Sequence, residues 1–174
     1  MKILLIGPQG SGKSTQAELL AQHLGLSKIS TGDIFRELSK ENSEEGMRIR
    51  QIANEGKLVD DETTAKIVEQ RLKKEDSSNG FILDGYPRNI RQKQIFDPGF
   101  DKVIFLKVSD EEVIKRLTAR GRADDSPEAI KTRLNLYYGQ TVPLLDDYKN
   151  KGLLIEIDGA GSIEDVQNEI RKAF

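Results

Sequence analysis

Residues Gly7-Pro8-Gln9-Gly10-Ser11-Gly12-Lys13-Ser14 match the pattern G-x-x-x-x-G-K-S/T in full. Glycines let backbone N–H groups wrap an anion, the start of a following helix adds positive potential, and Lys13 adds a mobile charge for the outer phosphates of a nucleotide. Gly10, Ser11, Gly12, Lys13, Ser14 and Thr15 are thus candidates for a triphosphate cradle, with Ser14 or Thr15 facing a magnesium ion. The pattern has this meaning only between a strand and a helix, and an apolar run precedes it while an amphipathic stretch follows. Such a site also needs a carboxylate near its metal, commonly an Asp that ends an apolar strand. Phe81-Ile82-Leu83-Asp84 supplies one. Alone, Asp84 would be an ordinary turn residue; beside the glycine motif it reads as the magnesium carboxylate.

Phosphoryl transfer asks for little covalent help from a protein. It needs positive charge around the moving group and two substrates held in line with water excluded. Arg88 follows Asp84-Gly85-Tyr86-Pro87, at the carboxyl end of a strand, where ligands of open α/β sheets bind. Arg116 and Arg120 are four apart and share a helix face, while Val113 and Leu117 point elsewhere. Arg122 falls in a loop and Arg133 in the next helix. Each could be a solvated surface charge, but guanidiniums gathered near one short loop would repel one another unless phosphates joined them. Thr31-Gly32-Asp33-Ile34-Phe35-Arg36 reads equally as a helix cap with a surface charge and as a second anion site facing the first; spacing does not choose between them.

These residues need a scaffold, and the periodicity supplies one. Short apolar runs at 2–6, 27–30, 80–83, 102–108 and 153–157 read as strands. Between and after them lie helical patterns at 13–24, 31–39, 44–54, 62–74, 89–95, 110–119, 127–149 and 163–173. Three starts carry capping pairs: Ser30 with Asp33, Ser109 with Glu112, and Ser162 with Asp165. The alternation predicts an α/β fold, a doubly wound five-stranded parallel sheet with helices on both faces. Residues 31–60 give two helical patterns without a strand between them, so a small helical subdomain projects there. Residues 120–127 lack apolar side chains and read as an exposed loop.

The 174 residues suffice for one domain. With 27 Lys+Arg against 29 Asp+Glu, the net charge of -2 excludes the broad basic field of a general nucleic-acid or membrane-surface binder. No apolar run approaches the roughly 20 residues of a spanning helix, and the first segment has no cleavage site, so a cytoplasmic protein is expected. With no Cys and one His, His23, disulfides, thiolate zinc sites, cysteine nucleophiles and His-based metal clusters or catalytic triads are set aside.

Residues 7–15, Ser30-Thr31-Gly32-Asp33, Gly56-Lys57-Leu58-Val59-Asp60, residues 80–88 and Arg120-Gly121-Arg122-Ala123-Asp124-Asp125 together resemble the adenylate kinases, in family order from first strand to last. The resemblance implies a P-loop NTPase-type fold and a monomer that moves the terminal phosphoryl of MgATP to AMP, giving two ADP. It also implies a core of residues 1–29, 60–118 and 126–174, an AMP-binding insert at 30–59 and a lid at 119–125. Carried onto this chain, Gly10 to Thr15 would cradle the ATP phosphates, with Lys13 following the transferred group. Thr31 and Arg36 would hold AMP with the backbone of Lys57, Leu58 and Val59, the turn of Gly85, Tyr86, Pro87 and Arg88, and Gln92 on the adenine edge. Arg88 would grip the AMP phosphate, Arg120 would lie against ATP, and Arg122 and Arg133 would clasp phosphates on closure. Asp84 would hold magnesium through water, and the Gly161 carbonyl would meet the ATP adenine, unless that segment is a plain turn.

The chain departs from the family pattern in three places. Ser14 stands where a Gly is usual, which leaves open whether Ser14 or Thr15 is nearer the metal. The lid is shorter than the family's compact form and carries no zinc insert, so water exclusion must rely more on closure of the AMP-binding insert. Tyr86 replaces a commoner Phe. Two competing readings remain: a UMP/CMP-type kinase, against which Thr31-Gly32 and Gln92 resemble the AMP form, and a non-catalytic ATP-dependent switch, in which Arg36, Arg88 and Arg133 would lack a purpose.

Overall fold

A computed structural model describes residues 1–54, 58–121 and 125–174. Its first half runs β1 (Lys2–Ile6), α1 (Lys13–Leu24), β2 (Ser27–Ser30), α2 (Thr31–Leu38), α3 (Glu44–Asn54), α4 (Asp61–Leu72), β3 (Phe81–Asp84) and α5 (Ile90–Ile95). It continues through β4 (Lys102–Lys107), α6 (Asp110–Arg120), α7 (Pro127–Leu136), α8 (Val142–Asn150), β5 (Leu154–Asp158) and α9 (Ile163–Arg171). A short 3-10 turn at Glu75–Ser77 has no counterpart in the sequence reading. β1 and β2 have the expected limits, while those of β3, β4 and β5 differ by a residue, Asp84 being the last residue of β3.

The five strands are parallel in the order β2-β3-β1-β4-β5. β1 comes first in the chain and lies central in the sheet, which is why four of its five residues are apolar and buried. Leu4 and Ile6 share one face with Ile29, Leu83 and Val103, under Ala65 and Val68 of α4 and Leu144 and Tyr148 of α8. Ile3 and Leu5 share the other with Ile82, Ile104 and Leu106, under Ala17 and Leu20 of α1 and Val166 and Ile170 of α9. Each Val, Leu or Ile side chain among these contributes roughly 1.5–3 kcal/mol on leaving water. Because β3 pairs with one edge of β1 and β4 with the other, the chain reverses direction of travel at the carboxyl end of β1. That crevice is where an open α/β sheet binds ligands, and the glycine motif begins there.

Local signals account for most helix starts. Ser30, Ser109 and Ser162 accept from the N–H of Asp33, Glu112 and Asp165, as their spacing predicts; Ser126, Asp60 and Asn89 do the same for α7, α4 and α5. One expectation fails. The pattern at 127–149 is not one helix but α7 and α8 joined by a π-turn at Tyr137–Thr141. Pro143 has no N–H and its ring would strike the carbonyl four residues back, so the ladder widens and the Val142 N–H reaches Tyr137 O, five back. Among the described residues, no helix is long and apolar enough to cross a membrane.

Candidate active site

The loop after β1 closes into α1 through Gly12, the N-cap, whose φ of 92° lies in the left-handed region that a side chain resists. Lys13, the first residue of α1, turns back over the loop, and its ammonium donates to the carbonyls of Gly7 and Pro8 at 2.8 Å each. An ammonium has three donors, so one remains for a ligand. Loss of water pushes the Lys13 pKa down to about 8; Asp84 opposes this, while Arg88 and Arg120 reinforce it. Ser14 and Thr15 are exposed in the first turn of α1. The Ser11 hydroxyl is buried without a hydrogen-bond partner.

Asp84 ends β3 opposite Leu5 of β1 and is buried. The turn that follows starts at Gly85, with φ 91°; a Cβ there would sit 2.4 Å from Thr31 Oγ1 and 3.5 Å from an Arg88 guanidinium nitrogen. Glycine is therefore required by both conformation and space. Thr31, buried at the start of α2, donates to the Asp84 carbonyl at 3.4 Å. Beyond the cis Tyr86–Pro87 peptide, Arg88 is held at three points. Its N–H donates to Gln92 Oε1 at 2.8 Å, its Nε to Gly85 O at 3.0 Å, and its carbonyl accepts from Thr141 Oγ1 at 2.7 Å. Desolvation lowers the Arg88 pKa, Asp84 raises it and Arg133 lowers it again, so two further charged groups lie within electrostatic reach.

Gln92, predicted to read a base edge, is buried; besides receiving the Arg88 N–H, its Nε2 donates to Asp61 Oδ1 at 2.9 Å. The Tyr86 hydroxyl lies 2.8 Å from Gln92 O and 2.7 Å from Phe96 O, able to donate to one at a time, and burial pushes its pKa up. Tyr86 is thus more than a replacement for Phe, since it ties down the carbonyl of the residue that follows the turn. Arg36 is exposed and paired with Asp33. Leu58 is exposed and Val59 half-buried, its carbonyl accepting from Thr64 Oγ1 at 3.4 Å. The candidates Lys57 and Arg122 lie outside the described residues.

At the end of α6, Arg120 meets Asp125 through two bonds, Nε to Oδ2 at 2.8 Å and Nη2 to Oδ1 at 2.6 Å. Arg133 of α7 reaches the same Oδ1 at 3.4 Å. The Asp125 side chain is 1% exposed, which corrects the reading of 120–127 as simply an exposed loop: two arginines enclose the one carboxylate. Arg120 itself is helical. The sequence reading set Arg116 beside Arg120 without assigning it a role, and it has one. Its guanidinium pairs with Glu112 at 2.7 Å and donates to Ser11 O at 3.5 Å and Gly159 O at 3.0 Å, joining the glycine loop to the exposed loop that carries Gly161. The signal was its spacing of four from Arg120. Thr141 gave no signal, because its contact depends on the π-turn.

Lys13, Asp84, Arg88, Arg120 and Arg133 therefore lie within electrostatic reach of one another near the carboxyl edge of the sheet, a cluster of four cations around the buried carboxylates of Asp84 and Asp125. A sequence model described as adenylate kinase matches residues 5–153. The chain belongs to the adenylate kinase family. It is 45% identical to an adenylate kinase of Bifidobacterium longum, across 98% of this chain and 97% of the relative. With one from Clavibacter michiganensis the identity is 42%, across 99% and 92%, and with adenylate kinase 1 of a Nostoc species 38%, across 98% and 96%. As an adenylate kinase the chain is a phosphotransferase acting on nucleotides. The five-stranded parallel sheet with flanking helices fits the P-loop NTPase fold expected of it.

Proposed function

We propose that the enzyme transfers the terminal phosphoryl of MgATP to AMP, reversibly, giving two ADP, as a cytoplasmic monomer maintaining adenine nucleotide balance. The observation that carries this is that Lys13 and Arg88 lie within electrostatic reach of the buried Asp84, with Arg120 in reach of Lys13 and Arg133 in reach of Arg88. Four cations against the two carboxylates Asp84 and Asp125 suit a ligand bearing several negative charges.

In this reading the backbone N–H groups of Gly10 to Thr15 hold the donor phosphates and Lys13 gives its remaining N–H to the group in transit. Arg120 lies against the donor, and Arg122 and Arg133, assigned with the acceptor, clasp phosphates on closure. On the acceptor side Thr31, Arg36, Lys57, Leu58, Val59 and residues 85–88 enclose AMP, with Gln92 on the base and Arg88 on the phosphate. An oxygen of the AMP phosphate attacks the terminal phosphorus, the bond to the bridging oxygen breaks, and ADP leaves with the negative charge that Lys13 and the arginines offset. Gly161 offers its carbonyl to the donor base, and Arg116 holds that loop in place.

A magnesium ion fits the residues present. Asp84 is a buried carboxylate facing Lys13 and Arg88, and Ser14 and Thr15 place hydroxyls in the first turn of α1, a sparse oxygen set suited to an ion that keeps several waters and binds substrate phosphates. When bound, the ion neutralises charge on the donor phosphates and orients them. Asp84 would hold it through water, with the hydroxyl of Ser14 or Thr15 nearer the ion.

The test is a product assay with MgATP and, in turn, AMP, GMP, CMP and UMP. Rapid ADP formation with AMP alone is expected. Preference for a pyrimidine acceptor would overturn the reading of Thr31 and Gln92 while keeping the phosphate chemistry, and no transfer to any acceptor would point to a nucleotide switch.

A further inference from the structure

The backbone of Arg88 is clamped from both sides by groups that belong to different elements. Gln92, on α5, receives its N–H at 2.8 Å. Thr141, on the π-turn between α7 and α8, donates to its carbonyl at 2.7 Å. Thr141 and Arg88 are 53 positions apart in the chain, so the second bond is a tertiary contact made for a backbone atom of one particular arginine. A threonine inside a helix ordinarily turns its hydroxyl back to a carbonyl of its own helix. Here it reaches across to the β3–α5 turn instead.

The reason lies in the widened turn. Pro143 prevents a normal α-helical step, the Val142 N–H takes Tyr137 O, and the extra residue rotates Thr141 relative to where an unbroken helix would carry it. π-turns of one step recur at functional positions for this purpose. The turn also starts four residues after Arg133, whose charge is felt at Arg88. One segment thus carries both Arg133 and the residue whose hydroxyl holds the Arg88 carbonyl.

From this geometry we propose that Thr141 is a positioning residue for phosphoryl transfer: through its hydroxyl the π-turn fixes the Arg88 backbone, and with it the direction in which the guanidinium meets the acceptor phosphate. It touches no substrate. The proposal rests on the assignment of Arg88 to the acceptor phosphate made above. A misplacement of the order of 1 Å at such a group costs up to about a hundredfold in rate.

The experiment compares kcat, and KM for ATP and AMP, in the full-length enzyme and in Thr141→Val, Thr141→Ser, Arg88→Lys and the double variant Arg88→Lys/Thr141→Val, with the thermal midpoint of each recorded. Valine keeps the branched shape and removes the donor. Should it lower the midpoint by more than a few degrees, Thr141→Ala replaces it, since alanine favours the helix. Expected is a roughly ten- to hundredfold loss of kcat in Thr141→Val with the ATP KM held within about twofold. Serine restores most of the rate, and in the Arg88→Lys background the valine change costs little more. Undiminished kcat in Thr141→Val overturns the proposal, as does an equal fractional loss in both backgrounds, which would mark a structural contribution independent of Arg88. If Arg88→Lys alone keeps full activity, the assignment of Arg88 itself fails, whatever Thr141 does.

Discussion

Lys13 shows how a single residue can be set for its ligand before the ligand arrives. Its ammonium is largely taken out of water, partly compensated by Asp84 and opposed by Arg88 and Arg120, so its pKa falls to about 8. A bound triphosphate supplies the missing counter-charge and returns the pKa upward, so binding takes up a proton wherever free Lys13 is partly neutral. The sign follows: ATP affinity should be flat below about pH 7 and weaken as pH rises through about 8, by up to tenfold per unit. Calorimetric titrations in buffers of different ionisation heat would register the proton uptake; pH-independent affinity from about pH 7 to 9.5 would sink the idea. Lys13→Arg, always charged, should bind with no such slope. In the nucleotide-free protein the unfolded chain holds the proton more tightly between about 8 and the ordinary 10.5, so Lys13 makes stability rise with pH across that window.

The elements that place these residues meet at the turn from β3 to α5, and Gly85 is its least replaceable position. Gly85→Ala would put a methyl group into the left-handed region and within 2.4 Å of Thr31 Oγ1. A loss of about 1–3 kcal/mol in urea unfolding is expected, with a raised AMP KM and an unchanged ATP KM, because either Thr31 or Arg88 must shift. Stability and AMP KM both equal to the parent enzyme would refute the close approach. This turn also shows what the sequence could and could not reveal. Strand β1 and the serine caps were legible because their signals are local: an apolar run, a hydroxyl three residues before its N–H. Asp84 and Arg88 were legible because one follows a strand and the other follows a turn. The π-turn was not, since an apolar period continues smoothly through 127–149 and only Pro143 marks the break. Asp125 was not either, because a charged stretch reads as solvated until Arg120 and Arg133 are seen to enclose its carboxylate. Contacts made between elements leave no trace in spacing.

At the scale of the whole molecule, the net charge of -2 means that the proposed phosphate site gathers its cations locally in a slightly acidic protein, not as part of a broad basic surface. In the proposed reading the nucleotides lie between two loop-attached pieces, the helices α2 and α3 on one side and the end of α6 with the start of α7 on the other. Arg120 and Arg133 pair with Asp125, and Arg36 with Asp33. Each of these pairings occupies a cation that the transfer reaction assigns to phosphate. A ligand spanning both sites would compete for all three, drawing both flanking pieces toward the P-loop, and water exclusion depends on that movement because the loop between α6 and α7 is short. Small-angle scattering with and without a bisubstrate analogue of ATP joined to AMP should therefore show a smaller radius of gyration in the complex, whereas ATP alone, which reaches only the arginines on the lid side, should give a partial change. A radius that stays constant with the bisubstrate analogue bound at saturation would mean that the site is already in its working shape, and that Arg36 and Arg120 meet phosphate by side-chain rotation alone.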